Sequence, residues 1–211
     1  MAMGYRVFSV GPLAVNSTIL YSSGEAFIFD PGGEEEKLIS FLREKGLKPK
    51  GIFLTHGHVD HFARVKALKE IFPKVPVYMN EKDKFLLTQE LWEGFAQYLN
   101  AQLNPPVDRF LKEGDSFKLG NLTLEVYETP GHTPGGVVYY IPQLKILIAG
   151  DLLFRGSVGR WNLPGGNKEE LINSVRRVLS IFPEDTKVIT GHGELTTIGF
   201  ERKHNPLGWG L

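Results

Sequence analysis

Cysteine is absent from the 211 residues, which excludes disulfides, thiolate metal ligands and a cysteine nucleophile together. Any bound metal must therefore be held by nitrogen and oxygen. Net charge is missing too: 24 Lys and Arg balance 24 Asp and Glu, so no long-range field draws the chain to nucleic acid or to an anionic membrane surface. No apolar run approaches the roughly 20 residues that a membrane helix requires; the nearest is Ile146 to Ala149. Met1 to Val15 lacks a basic start followed by a continuous apolar stretch, and Gly11 and Pro12 interrupt it. No secretion signal is read, and the cytoplasm is the expected compartment. What is present is an ordinary globular composition, 42% hydrophobic and 23% charged, in a length that suits one large domain, residues 1–211.

Asn16 to Asp30 predicts two strands around Ser22-Ser23-Gly24, and Glu34 to Lys45 predicts a helix with an acidic first turn, a Leu38/Phe41/Leu42 face and Gly46 as its stop. Gly51 to Thr55 reads as a short strand, and helical spacing resumes from Ala63 to Phe72, where Pro73 breaks it. Val75 to Met79 reads as a strand with Asn80 able to cap a helix from Glu81, and Trp92, Phe95, Tyr98 and Leu99 suggest one more helix before Pro105-Pro106. A hairpin is expected across Gly120-Asn121, joining 117–119 to 122–128, and further strands at 137–141 and 145–149. Asn167 is placed to cap a helix over 168–181, with Glu170 completing a capping box, and a last strand over 187–190 ends at Gly191-His192. Each half runs from strands to a helix and a further strand, which predicts two packed sheets with helices outside.

Thr55-His56-Gly57-His58-Val59-Asp60-His61 places three imidazoles and a carboxylate within six positions. In extended chain, residues two apart face the same side, so His56 and His58 can grip one ion, while Asp60 and His61, past the turn, can grip a neighbour. Gly57 is read as backbone freedom between the two histidines. His132 lies in the stiff, glycine-opened loop Thr129-Pro-Gly-His-Thr-Pro-Gly-Gly136. By itself it reads equally as an exposed loop histidine. Asp151 directly follows a predicted strand and suits a turn cap as well as a ligand, and His192 sits between Gly191 and Gly193. His56, Asp151 and His192 share one position, just beyond the end of an apolar strand, where side chains enter a cleft.

Taken together, these positions use five of the six histidines, and their order resembles the HxHxDH, H, D, H pattern of the metallo-β-lactamase superfamily. The resemblance implies the four-layer αβ/βα sandwich of that α/β fold. It also implies a dinuclear site in which His56, His58 and His132 bind the first ion, Asp60, His61 and His192 the second, and Asp151 bridges them. Zinc is the first expectation, with iron or manganese as alternatives. Such ions lower the pKa of water from about 15.7 toward ~7, so that hydroxide is the nucleophile, and a second ion stabilises the opposing oxygen. Asp60 is also a candidate proton acceptor beside Asp151.

Gly150-Asp-Leu-Leu-Phe-Arg-Gly-Ser-Val-Gly-Arg160, the His-Thr-Pro-Gly loop and Gly191-His-Gly-Glu-Leu-Thr-Thr-Ile-Gly199 look most like the glyoxalase II group, the hydroxyacylglutathione hydrolases. That similarity implies a small-molecule thioester substrate, a carboxylate held by Arg160, and a wall shaped by Trp161 and Asn162, where many relatives carry an acidic residue. Only 19 residues follow His192, so the chain resembles the short subgroup without the helical C-terminal glutathione-binding domain. The alternatives are a mononuclear iron persulfide dioxygenase using the positions of His56, His132 and Asp151, a lactone or phosphodiester hydrolase, and, furthest, a non-catalytic binding protein.

Overall fold

The computed structural model describes residues 2–210. Its first half runs β1 (Met3–Val10), β2 (Val15–Ser22), β3 (Glu25–Phe29), α1 (Glu35–Glu44), β4 (Lys48–Phe53), α2 (Val59–Phe62), α3 (Val65–Ile71) and β5 (Val77–Met79). A 3-10 stretch (Glu81–Leu87), two short helices, α4 (Gln89–Trp92) and α5 (Phe95–Tyr98), and β6 (Arg109–Phe110) complete it. The second half runs β7 (Ser116–Leu119), β8 (Leu122–Glu128), β9 (Val137–Ile141), β10 (Ile146–Gly150), β11 (Leu153–Phe154), β12 (Ser157–Val158), α6 (Lys168–Ile181), β13 (Lys187–Thr190), β14 (Thr196–Thr197) and α7 (Ile198–His204).

Two mixed six-stranded sheets result, ordered β1-β2-β3-β4-β5-β6 and β14-β13-β10-β9-β8-β7. Period-two alternation sorts each strand's side chains between two layers. In β3, Phe27 and Phe29 face the opposite sheet while Ala26 and Ile28 face the helices; in β10, Ile146 and Ile148 face inward while Leu147 and Ala149 meet α6 and α7. The inter-sheet layer centres on the fully buried Phe53, whose ring lies 4.6 Å from Tyr78, 4.8 Å from Phe27 and 5.6 Å from Tyr139. The helix, sheet, sheet, helix order is the expected sandwich. No helix of the described residues is long and apolar enough to cross a membrane.

Several local expectations are redrawn. The helix foreseen over 63–72 begins earlier, as α2 and α3 broken at Arg64, so Asp60 and His61 sit on a helical turn and not in a loop. The single helix around Trp92 is two four-residue turns, because Gly94 (φ 84°) breaks the ladder between them. Asn80 does cap, accepting from the Lys82 N–H, but the stretch it starts is 3-10.

Asn167 caps α6 by accepting from the Glu170 N–H at 3.0 Å. The reciprocal half of the capping box is missing, because the Asn167 N–H donates instead to the Gly131 carbonyl at 2.8 Å. Ser174 Oγ donates to the Pro130 carbonyl, so α6 is clamped to the loop that carries His132. Asn167→Ala is expected to cost about 1 kcal/mol, read as a lowered urea midpoint at unchanged slope.

Candidate metal centre

The parallel pairs β3·β4 and β10·β13 leave strand ends side by side where the two sheets meet. β4 is followed by His56 and His58, α2 carries Asp60 and His61, β10 is followed by Asp151 and β13 by His192. Backbone links lock the halves together at this end: Val137 N–H donates to Thr55 at 2.9 Å and Asn16 N–H to Gly191 at 2.8 Å. The Asn16 side-chain amide donates to the Thr190 and Gly193 carbonyls on either side of His192.

The seven residues converge as two groups, His56, His58 and His132, and Asp60, His61, Asp151 and His192, each with its ligand atoms within 4.8 Å of one another. Asp151 lies between them. Its Oδ2 is 3.8 Å from His56 Nε2, 3.6 Å from His132 Nε2 and 3.3 Å from His192 Nε2, and its Oδ1 is 3.2 Å from His61 Nε2. Asp60 Oδ2 is 3.0 Å from His192 Nε2. His204, the remaining histidine, is exposed and away from the centre.

The outer nitrogens assign the tautomers. His61 Nδ1 donates to Asp30 Oδ2 at 2.9 Å, His132 Nδ1 to the Arg160 carbonyl at 2.7 Å, and His192 Nδ1 to the Leu13 carbonyl at 2.7 Å. His56 Nδ1 donates to Thr55 Oγ1, whose hydroxyl donates to Asp30 Oδ2. Each thereby turns its Nε2 inward, the nitrogen that a metal would take. His58 is reversed, its Nδ1 lying 3.0 Å from His132 Nε2. Two imidazole nitrogens facing each other, and the buried His56 Nε2 and Asp151 Oδ1 without hydrogen-bond partners, are what a cation between them would satisfy. The all-nitrogen and oxygen donor set therefore fits two divalent ions.

Burial holds His56 well below the ordinary imidazole range and pushes His58 down to about 3. His61 is equally buried, yet Asp151, Asp60 and Asp30 outweigh that burial and raise it well above 6.5. Burial lowers His192 too, but its bonds to Asp151 and Asp60 lift it to about 10. In the metal-free protein at neutral pH, His61 and His192 thus hold protons that a metal must displace. Apparent metal affinity is expected to keep rising from pH 7 to pH 9, by up to about tenfold per pH unit for each proton released. A chelator competition series in which affinity levels off at pH 7, as for unperturbed histidines, overturns this.

Two buried carboxylates were not anticipated. Asp30 directly follows β3, accepts from the Thr55 N–H and hydroxyl, and holds His61. It had the strand-end signal that singled out Asp151. Asp83, fully buried, accepts from Gly57 N–H at 2.8 Å, Thr133 Oγ at 2.7 Å and Gly135 N–H at 2.5 Å, which ties the His58 loop to the His132 loop. Burial raises its carboxyl against those three donors. No signal marked it within Glu81-Lys-Asp-Lys84. Gly57 is explained by this packing and not by backbone freedom: a Cβ there would lie 2.9 Å from the Asp83 carbonyl oxygen.

A cavity of about 550 Å³ opens onto both groups. Arg160 is on its wall, but Trp161 and Asn162 are not. Asn162 Oδ1 instead accepts from Arg160 Nε at 3.1 Å, and the Trp161 ring lies under the Lys168 ammonium at 5.3 Å. The fully buried Glu201 of α7 accepts from Gly156 N–H and Thr196 Oγ, holding the β11–β12 turn whose Phe154 lines the cavity.

Comparison with known proteins agrees with this geometry. The chain is 36% identical over 212 residues to hydroxyacylglutathione hydrolase GloC of Haemophilus influenzae, covering 97% of this chain and 98% of that protein. Among solved structures, the BLEG-1 B3 metallo-beta-lactamase superposes with a TM-score of 0.88 at 39% identity, covering 98% of this chain and all of that one. TTHA1623 in a di-iron-bound form superposes at 0.85 with 38% identity, covering 95% and 98%. Residues 10–192, from the end of β1 to the last histidine of the centre, match the family profile described as metallo-beta-lactamase superfamily. With the same two-sheet fold and two His/Asp groups consistent with a dinuclear metal site, the chain belongs to the metallo-beta-lactamase superfamily.

Proposed function

We propose that this protein is a metal-dependent thioesterase acting on a substrate of the hydroxyacylglutathione type, with two divalent ions held by His56, His58 and His132 and by Asp60, His61 and His192, and Asp151 shared. The observation that carries the reading is the cavity: it opens onto both ligand groups and carries one arginine, Arg160, on its wall. A thioester carbonyl at the centre and a carboxylate at Arg160 fit that layout. The relationship to GloC, which is named for hydrolysis of such a thioester, supports the same class.

The bound ions supply Lewis acidity and a lowered pKa for water. The chain supplies orientation and proton handling. The Leu13 and Arg160 carbonyls hold His192 and His132 in single tautomers. Asp60 stands at the cavity wall, with Oδ2 beside His192 and its partners depressing its carboxyl against the effect of burial. That carboxylate can take the proton of an attacking water. Asp60→Asn is expected to lower kcat more than KM by about 100-fold; full turnover with both metals retained removes the role. Arg160→Ala is expected to act on KM, since the contact to His132 is made by its backbone.

The deciding experiment is elemental analysis paired with thioester, lactone, phosphodiester, β-lactam and persulfide substrates on one sample. Two metals per chain with S-lactoylglutathione cleavage supports the reading. Oxygen-dependent persulfide turnover at one iron, or exclusive β-lactam cleavage, overturns it.

A further inference from the structure

The cavity wall is short of charge. Apart from the groups of the metal centre, it is made of Leu13, Trp92, Phe95, Phe154 and Leu163, with Arg160 the one further cation among the described residues. Trp92 sets its ring edge-on to His58 at 5.5 Å and donates its Nε1 to the Leu86 carbonyl at 2.5 Å. Its polar atom is thereby occupied, and hydrocarbon is what it offers a ligand. On the other side of the centre, the Phe154 ring lies 6.2 Å from that of His192. Leu13 and Phe95 remain 37% and 40% exposed beside the centre, the uncovered apolar surface that marks a ligand site.

Nearby cations are turned elsewhere: Arg155 stacks on Phe200 at 4.0 Å and Lys168 covers Trp161. Glutathione brings two carboxylates and a polar peptide, and this wall offers one guanidinium and five apolar side chains. A substrate laid across both ligand groups passes Trp92 on the His58 side and Phe154 on the His192 side, and meets hydrocarbon at either end.

Building on the thioesterase reading, we infer that this site selects a thioester with an apolar arm of aromatic size and a single carboxylate for Arg160, and that glutathione is not required as the thiol. Four substrates separate the elements: lactoyl and mandeloyl acyl groups, each on glutathione and on 3-mercaptopropionate. Mandeloyl replaces a methyl by a phenyl, and mercaptopropionate retains one carboxylate without the peptide.

The expected result is a kcat/KM about 10- to 100-fold higher for mandeloyl on either thiol, with mercaptopropionate thioesters within about threefold of their glutathione counterparts. Trp92→Ala is expected to bring the mandeloyl-to-lactoyl ratio down to a few-fold. A binding measurement independent of turnover accompanies it: calorimetry of the S-benzyl and S-methyl thioethers of 3-mercaptopropionate, with the benzyl form binding at least about tenfold tighter. Thioester cleavage without preference for the phenyl group, or a strict need for glutathione, overturns the inference and leaves the thioesterase reading standing. Tighter benzyl binding with no thioester cleaved overturns that reading and supports the apolar selectivity.

Discussion

Asp151→Asn is expected to abolish the dinuclear centre and to lower kcat/KM by at least about a thousandfold. The carboxylate is buried, and four imidazole nitrogens, those of His56, His61, His132 and His192, surround it at 3.2 to 3.8 Å. Burial opposes its charge, but His61, His192 and His56 hold Asp151 well below the usual carboxylate range. An amide of the same shape removes the one anion that both ligand groups share and sets an N–H against an imidazole or a metal. The His56, His58 and His132 group then faces a cation with no anionic ligand, and the other group keeps Asp60 alone. Metal content should fall below two per chain, measured by elemental analysis after equilibrium dialysis. An Asp151→Asn variant that keeps two metals and wild-type turnover rejects the shared position of this residue.

Asp83→Ala is expected to act without any contact to metal or substrate. Its carboxylate accepts from the Gly57 N–H, the Gly135 N–H and the Thr133 hydroxyl. A buried donor left without a partner costs about 1 to 3 kcal/mol, so the loss of three places the expected destabilisation of the metal-free protein at about 3 to 5 kcal/mol. The same change frees the His58 loop from the His132 loop, and support lost behind a ligand lowers metal affinity by about 10- to 100-fold. Urea unfolding of the metal-free protein gives the first number and chelator competition the second. If metal affinity is unchanged while stability falls, Asp83 is a folding residue alone. Asp83→Asn separates charge from shape: it keeps the volume, but its amide group must oppose at least one of the three donors.

Both predictions concern carboxylates, yet only one was legible beforehand. Asp151 follows an apolar strand and stands in register with His56 and His192, which do the same. Asp83 lies in a charged stretch indistinguishable from an exposed first turn, and its partners are 26, 50 and 52 residues away. Asp30 is intermediate. Its strand-end position was visible, but its bonds to Thr55 and His61 span 25 and 31 residues. The substrate wall divides in the same way: Arg160 reaches the cavity, whereas the adjacent Trp161 and Asn162 turn to Lys168 and to Arg160 itself.

From its sequence alone this protein was determined in much that depends on neighbours along the chain, although the start of α2, the break at Gly94 and the 3-10 stretch after Asn80 were not. Strand alternation, the Asn167 cap, the crowding of His56 to His61 and the exclusion of thiolate chemistry are all local or compositional. Tertiary structure alone decided which nitrogen each histidine turns inward, which carboxylates hold the ligand loops, and that the cavity is walled by hydrocarbon. The reason is physical. Tautomer, hydrogen-bond satisfaction and cavity lining are set by groups brought together only when the two sheets close, and sequence spacing carries no record of those distances.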